Sequence, residues 1–218
     1  MIAESSSHVL NSQKLHVSCY IIYVYYTNHQ CFSVKHVYPD EVDEPKLTQL
    51  IQAFIYEQHH PNSSVHNILN LPPFYEKVTI HMSAVGTFHA PSDLSGIGSM
   101  KCEDIHAVNR WRNGPGCYDM MFINAAHNNT DDDTSPISAH RFLDLEVARV
   151  HLFFSFMLDG VKYSCTLVHW FSCTSNIPSN ITGMYTVEPD RKCNGQPVTA
   201  VIHLDTVFRA AHLLPIFY

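Results

Sequence analysis

EVARVHLFFSFMLDGVKYSCTLVHWFSC, residues 146–173, holds two apolar runs of strand length on either side of Asp159-Gly160. Asp-Gly suits a two-residue hairpin turn. A long twisted hairpin cannot bury its apolar side chains alone, so it must belong to a larger β-sheet. A two-residue turn sets Leu158 opposite Val161 and Val150 opposite His169. One face then carries Val150, Leu152, Phe154, Phe156 and Leu158 with Val161, Tyr163, Cys165, Leu167, His169 and Phe171, and it reads as the core face. The other is mixed: Arg149, His151, Phe153, Ser155 and Met157 with Lys162, Ser164, Thr166, Val168 and Trp170. A one-residue slip would bury Lys162, so the pattern specifies the register. At the apolar end of the mixed face, Phe153, Val168 and Trp170 are expected to receive an N-terminal helix or a partner.

Working outward, residues 46–59 carry Leu47, Leu50, Ile51, Phe54 and Ile55 at helical spacing, and Pro61 ends the helix. Residues 16–26 are β-branched and aromatic and favour a strand. Asn70-Leu-Pro-Pro marks the main boundary. Strands are expected at 78–88, 118–124, 183–187 and 198–204, with loops at 90–100 and 125–141. Asp205 can cap a short helix over 206–212, leaving 213–217 as a last strand. The expected organisation is an N-terminal segment (1–45), a helix and linker (46–72) and a β domain (73–218). The fold class is α+β, mainly β. The order suggests a small curved antiparallel barrel, SH3-like or similar to a bromo-adjacent homology module, preceded by a short helical segment.

The 218 residues are 45 % apolar and 15 % charged, a globular composition with enough chain for a substantial core. A net charge of −7 argues against binding a phosphate backbone over the whole surface, though not against a local basic patch. The sixteen histidines follow no spacing that marks a pH sensor. Seven cysteines without a C-x-x-C pair, behind a start that lacks a signal-peptide pattern, point to reduced thiols in an intracellular compartment. The apolar run at 19–26 is far short of a membrane span.

No motif announces a reaction. Cys165, His169 and Cys173 share a face, but Cys165 and Cys173 stand about 26 Å apart on a straight strand, too far to meet one ion. Gly96-Ile-Gly98 lacks the third glycine and the Gly-Lys-Ser/Thr ending of phosphate loops. Asp131-Asp132-Asp133 lacks the spacing of a calcium loop. No cysteine sits in a nucleophile motif. No catalytic residue, metal ligand, cofactor or small-molecule substrate is therefore assigned. Arg110-Trp111-Arg112 is the basic-aromatic cluster of the sequence, suited to clamping a phosphate or stacking on a base. Trp170 and Tyr185 join Trp111 as aromatic candidates for a cage around a methylated lysine.

From about residue 46 the chain resembles the C-terminal region of fungal Plavaka-type transposon proteins, of the Kyakuja-Dileera-Zisupton transposase group. The resemblance lies in LIQAFIYEQHHP (50–61), FHAPSDLSGIGSM (88–100), RWRNGPGCYDMMFIN (110–124), LDLEVARVHLFFSFMLDGVKYSCTLVHWF (143–171), GMYTVEPD (183–190) and AVIHLDTVFRAAHLLPIF (200–217). Residues 1–37 lie outside it. It implies a mobile-element origin and a nuclear setting, with nucleic acid, chromatin or another transposase region as partner, and leaves self-association open. It does not carry over catalysis: the metal-holding acidic residues of such transposases belong to an upstream core. Asp93, Asp119 and Asp205 fall in matched segments but read as turn, strand-edge and cap residues. The expectation is a non-catalytic accessory module or decayed fragment. A methyl-lysine reader is the alternative, and a Cys/His hydrolase is the third reading.

Overall fold

The computed structural model describes residues 21–26, 35–42, 44, 46–60, 71, 73–90, 100–124, 145–175 and 177–216, with 21–26 and 89 as backbone. In chain order the elements are β1 (Ile21–Tyr26), β2 (Lys35–Val37), α1 (Leu47–His59), β3 (Val78–His81), β4 (Ser83–His89), β5 (Met100–Val108), β6 (Cys117–Tyr118), β7 (Met120–Asn124), β8 (Leu145–Leu158), β9 (Val161–Cys173), β10 (Val187–Pro189), β11 (Thr199–His203) and β12 (Val207–Ala211). The chain is α+β and mainly β. The early residues through 20, residues 61–70, Asp93, Gly96-Ile-Gly98 and the 131–133 acidic run lie outside the described residues, as does Pro72 of the expected linker.

The expected hairpin is the β8–β9 pair, turning through Asp159 and Gly160 at φ 50° and 78°. It forms the middle of the larger sheet. The free edge of β8 pairs β7 along 145–149 and β3 along 153–156. The free edge of β9 pairs β11 along 165–169 and β10 along 171–173. β2 extends this sheet beyond β3, and β12 extends it beyond β7. A smaller sheet runs β1-β4-β5-β6. Among the described residues all pairing is antiparallel, and it does not close the strands into a ring.

The register corrects the sequence reading at one point. Leu158 faces Val161 as expected and Leu152 faces Leu167, but a bulge at His151 then sets Val150 opposite Val168 and Arg149 opposite His169. An extra residue reverses the inward–outward alternation beyond it. Val150 therefore leaves the face of Leu152, Phe154 and Phe156 and joins Phe153, Val168 and Ala148 on the other. The Thr166 hydroxyl donates to the Leu152 carbonyl at 3.1 Å beside the bulge, so this buried polar group is satisfied.

Both hairpin faces are buried. On one, α1 lays Leu47, Ile51, Phe54 and Ile55 against Leu152, Phe154, Phe156, Leu167 and Val201. The helix thus covers the face opposite the expected one. Phe153 and Val168 instead meet Ala84, Ile105 and Ala107 of the smaller sheet, with Met121, Ile123, Leu204, Val207 and Ala210. Each large side chain so buried contributes about 1.5–3 kcal/mol.

Two single residues carry the chain between the sheets: Met82 separates β3 from β4, and Asp119 separates β6 from β7. The strand expected over 78–88 is split by the first of these bends, and the one over 118–124 by the second. The helix expected after Asp205 is absent. A 3-10 turn, Leu204–Thr206, leads directly into β12, whose Val207, Ala210 and Ala211 are buried. Pairing with β7 outweighs the local helical preference. Residues 212–216 carry no strand, so β12 is the last among the described residues. Glu103 on β5 ties β12 to the smaller sheet, pairing with Arg209 at 2.9 Å and accepting the Ala210 N–H at 3.2 Å. The strand placed at 183–187 begins at Val187, while β2 and β5 went unread.

Candidate functional site

The exposed turn between β5 and β6 carries Arg110, Trp111 and Arg112. The Trp111 N–H donates to the Pro115 carbonyl at 3.1 Å, and the Gly114 N–H donates to the Trp111 carbonyl at 2.7 Å. Arg112 and Asn113 both lie in the left-handed region, at φ 47° and 64°. Asparagine tolerates that region, whereas arginine there is disfavoured by about 1–2 kcal/mol. At Gly116 a Cβ would come within 2.8 Å of the Tyr118 ring and 2.9 Å of the Val108 carbonyl, so the close approach needs glycine. The Tyr118 hydroxyl donates to the Asn109 side chain at 2.6 Å and joins the two ends of the turn.

Trp111 is 38 % exposed. Its ring meets the His106 imidazole edge-on at 4.5 Å between centroids, and the Arg112 guanidinium lies 5.3 Å over its face. Of the three residues singled out in the sequence, Trp111 and Arg112 thus form an aromatic platform with a cationic flank, and Arg110 precedes them on the same exposed turn.

Beneath it sits a group that the sequence reading passed over. Cys117 and Asp119, two residues apart, reach the same place as His106 on the neighbouring strand. The His106 ring nitrogen Nδ1 donates to Asp119 Oδ2 at 3.0 Å, and the His106 backbone N–H donates to the same oxygen at 2.7 Å. The Cys117 thiol donates to Asp119 Oδ1 at 3.5 Å. Among the described residues these are the one trio of metal-ligating side chains whose donor atoms all lie within 4.8 Å of one another. Cys-x-Asp opposite a histidine on an antiparallel partner was the available signal, but it stayed hidden because β5 was not read as a strand.

The trio is not arranged as a nucleophile site. Its thiol points to the carboxylate, and burial, followed by the Asp119 charge and hydrogen bond, pushes the Cys117 pKa up. Burial also raises Cys165, with a smaller contribution from Asp205, and it raises Cys173. A thiolate is the nucleophile in such chemistry, and these shifts oppose it.

Trp170 and Tyr185 lie elsewhere. Trp170, on β9, packs half-buried against the core between the sheets. Tyr185 precedes β10, and the pairing of Val187 with Cys173 sets it five rungs from Trp170. That is roughly 16 Å along the ladder, too far for one cage. A cleft of about 690 Å³ is lined by Tyr38, Tyr75, Lys77, His81, Phe156 and Lys162 among others. The Lys77 ammonium already lies 5.1 Å over the Tyr38 ring.

His169 belongs to a histidine pair. Its ring lies 3.6 Å from that of His151, which is 3.4 Å from the Glu44 carboxylate and stacks on Tyr118 at 5.2 Å. Burial first, then repulsion from His151 and Arg149, lowers the His169 pKa to about 4 against the pull of Glu44. Among the described residues no helix is long and apolar enough to cross a membrane. In comparisons with known proteins, no family model, no curated protein and no solved structure matches the chain.

Proposed function

We propose that the chain is a non-catalytic β-sheet module of transposon origin that contacts nucleic acid through the Arg110–Trp111–Arg112 turn. The observation that carries this reading is the exposed Trp111 ring, held edge-on by His106 and overlain by Arg112. An indole platform with a cationic flank suits an unpaired base and its phosphate, and base–aromatic stacking is worth about 1–3 kcal/mol. With a net charge of −7 the contact is local and salt-sensitive. The finer architecture belongs to the same proposal: a small SH3-like or bromo-adjacent-homology-like barrel, supported by the 3-10 turn before β12 and the strand bends at Met82 and Asp119. So does its setting, a nuclear protein in which a chromatin component or another transposase region shares the surface. The upward thiol shifts support the non-catalytic part of the reading over a Cys/His hydrolase.

The test is fluorescence anisotropy with labelled single-stranded and duplex oligonucleotides at low and physiological salt. Binding to the single strand should weaken about tenfold in Trp111→Ala, in proportion to the stacking term. It should weaken further in Arg110→Gln/Arg112→Gln. Binding that ignores these changes, or no binding at low salt, would reject the reading.

A further inference from the structure

We propose that His106, Cys117 and Asp119 form a binding site for a divalent metal ion of the zinc type, with one coordination position left to solvent. The inference stands on the trio alone and is independent of nucleic-acid binding.

Three observations support it. The first is geometric: the three donor atoms already lie within 4.8 Å of one another. Tetrahedral bonds of about 2.0–2.3 Å place ligand atoms about 3.3–3.6 Å apart, so side-chain rotation closes the remaining gap. The backbone also holds the donors ready. Asp119 and Cys117 are two apart on one side of the chain, and the Asp119 N–H donates to the His106 carbonyl at 3.0 Å, which fixes the partner strand.

The second is chemical. One thiolate, one imidazole and one carboxylate are the mixed donor set that zinc and cobalt accept, whereas magnesium and calcium require oxygen ligands. The third is charge. The thiol and the imidazole N–H both point at the Asp119 carboxylate. A divalent ion between the three takes the place of both hydrogens. The thiol proton leaves to solvent, and the imidazole carries its proton on Nε2 while Nδ1 binds. Thiolate and carboxylate together neutralise the 2+ charge. The His106 backbone N–H remains on Asp119 Oδ2 and keeps the carboxylate oriented, the kind of outer contact that tunes metal sites. The side chains of His106 and Asp119 are 23 % and 32 % exposed, which leaves the trio accessible from solvent, and Trp111 covers the imidazole edge.

The test is titration of the reduced, chelator-treated chain with Co²⁺, followed by absorbance. Saturation at one ion per chain, with a thiolate-to-cobalt charge-transfer band, is expected. Cys117→Ser should abolish that band, and His106→Ala should weaken binding about tenfold or more. Cys102→Ser, which removes an exposed thiol on β5, should leave it unchanged. A wild-type measurement guards against misfolded variants: Zn²⁺ should slow alkylation of Cys117, read by peptide mass spectrometry, and leave Cys102 untouched. No charge-transfer band, a band that survives Cys117→Ser, or equal alkylation with and without Zn²⁺ would each overturn the site and leave the trio as a structural clamp.

Discussion

Asp119 and His106 hold each other at three points: the Asp119 Oδ2 atom accepts the His106 backbone N–H at 2.7 Å and its ring Nδ1–H at 3.0 Å, and the Asp119 N–H returns a bond to the His106 carbonyl. The Asp119 carbonyl then accepts the Val150 N–H of β8 at 3.0 Å. One residue thus links β5 of the smaller sheet to the central hairpin at the bend where the chain passes between them.

Removing that carboxylate should loosen the corner. Asp119→Ala strips the acceptor from two His106 donors and one thiol, and bonds to a charged group contribute about 1.5–3 kcal/mol. Partial solvent exposure lowers the expectation to about 1–2 kcal/mol. Asp119→Asn keeps one carbonyl oxygen and should lose less. Urea unfolding of metal-free protein measures both. Equal stability of wild type and Asp119→Ala would show that the carboxylate does not clamp the corner.

Phe153 and Phe154 are adjacent and both fully buried, yet they enter different cores. Phe154→Ala opens a cavity beneath α1, and Phe153→Ala opens one between the sheets. Each should cost about 3–5 kcal/mol. A hairpin with one wet face would instead show a large loss for Phe154→Ala and a small one for Phe153→Ala, so a pair of denaturation curves separates the two pictures.

The turn makes a backbone prediction. Gly160 sits at φ 78° with nothing within 4 Å of where a Cβ would be. Gly160→Ala therefore costs only the conformational term, about 1–2 kcal/mol. Asp159, at φ 50°, already bears such a term, so Asp159→Gly should be neutral or slightly stabilising. A lower urea midpoint is expected for Gly160→Ala, and an equal or slightly higher one for Asp159→Gly. A stable Gly160→Ala protein would contradict the turn geometry.

The parts of the fold legible in sequence were those where local pattern and tertiary demand agree. Leu47, Ile51, Phe54 and Ile55 spell a helix and bury as one, and Asp159-Gly160 turns as its chemistry requires. The misreadings have a common cause in two-sided burial. His151 bulges and sends Val150 to the second core, a shift that alternation cannot announce. Residues 206–212 prefer a helix in isolation, but β7 offers a pairing edge and a core for Val207. At the site, the Arg110–Trp111–Arg112 turn could be read from residue types alone. The trio beneath it could not, because it requires knowing that His106 and Asp119 face each other across two strands.

Acid should destabilise the fold through two histidines that resist protonation. Burial, then His151 and Arg149, lowers the His169 pKa to about 4. Burial, then Lys162 and His36, does the same at His81, whose Nε2 lies 3.1 Å from the buried Ser155 hydroxyl. In the unfolded chain both return to about 6.5. Between about pH 6.5 and pH 4 the unfolded state therefore binds protons that the folded state refuses. The stability held by the neutral rings is complete above about pH 6.5 and drains away as the pH falls towards 4. Urea midpoints at pH 7.0 and pH 5.0 should differ by more than protonation of exposed groups requires. His169→Gln and His81→Gln, neutral at every pH, should each flatten the profile by up to about 1.4 kcal/mol per pH unit, one proton's worth. A Gln variant that follows the wild-type profile would show that its imidazole titrates alike in both states.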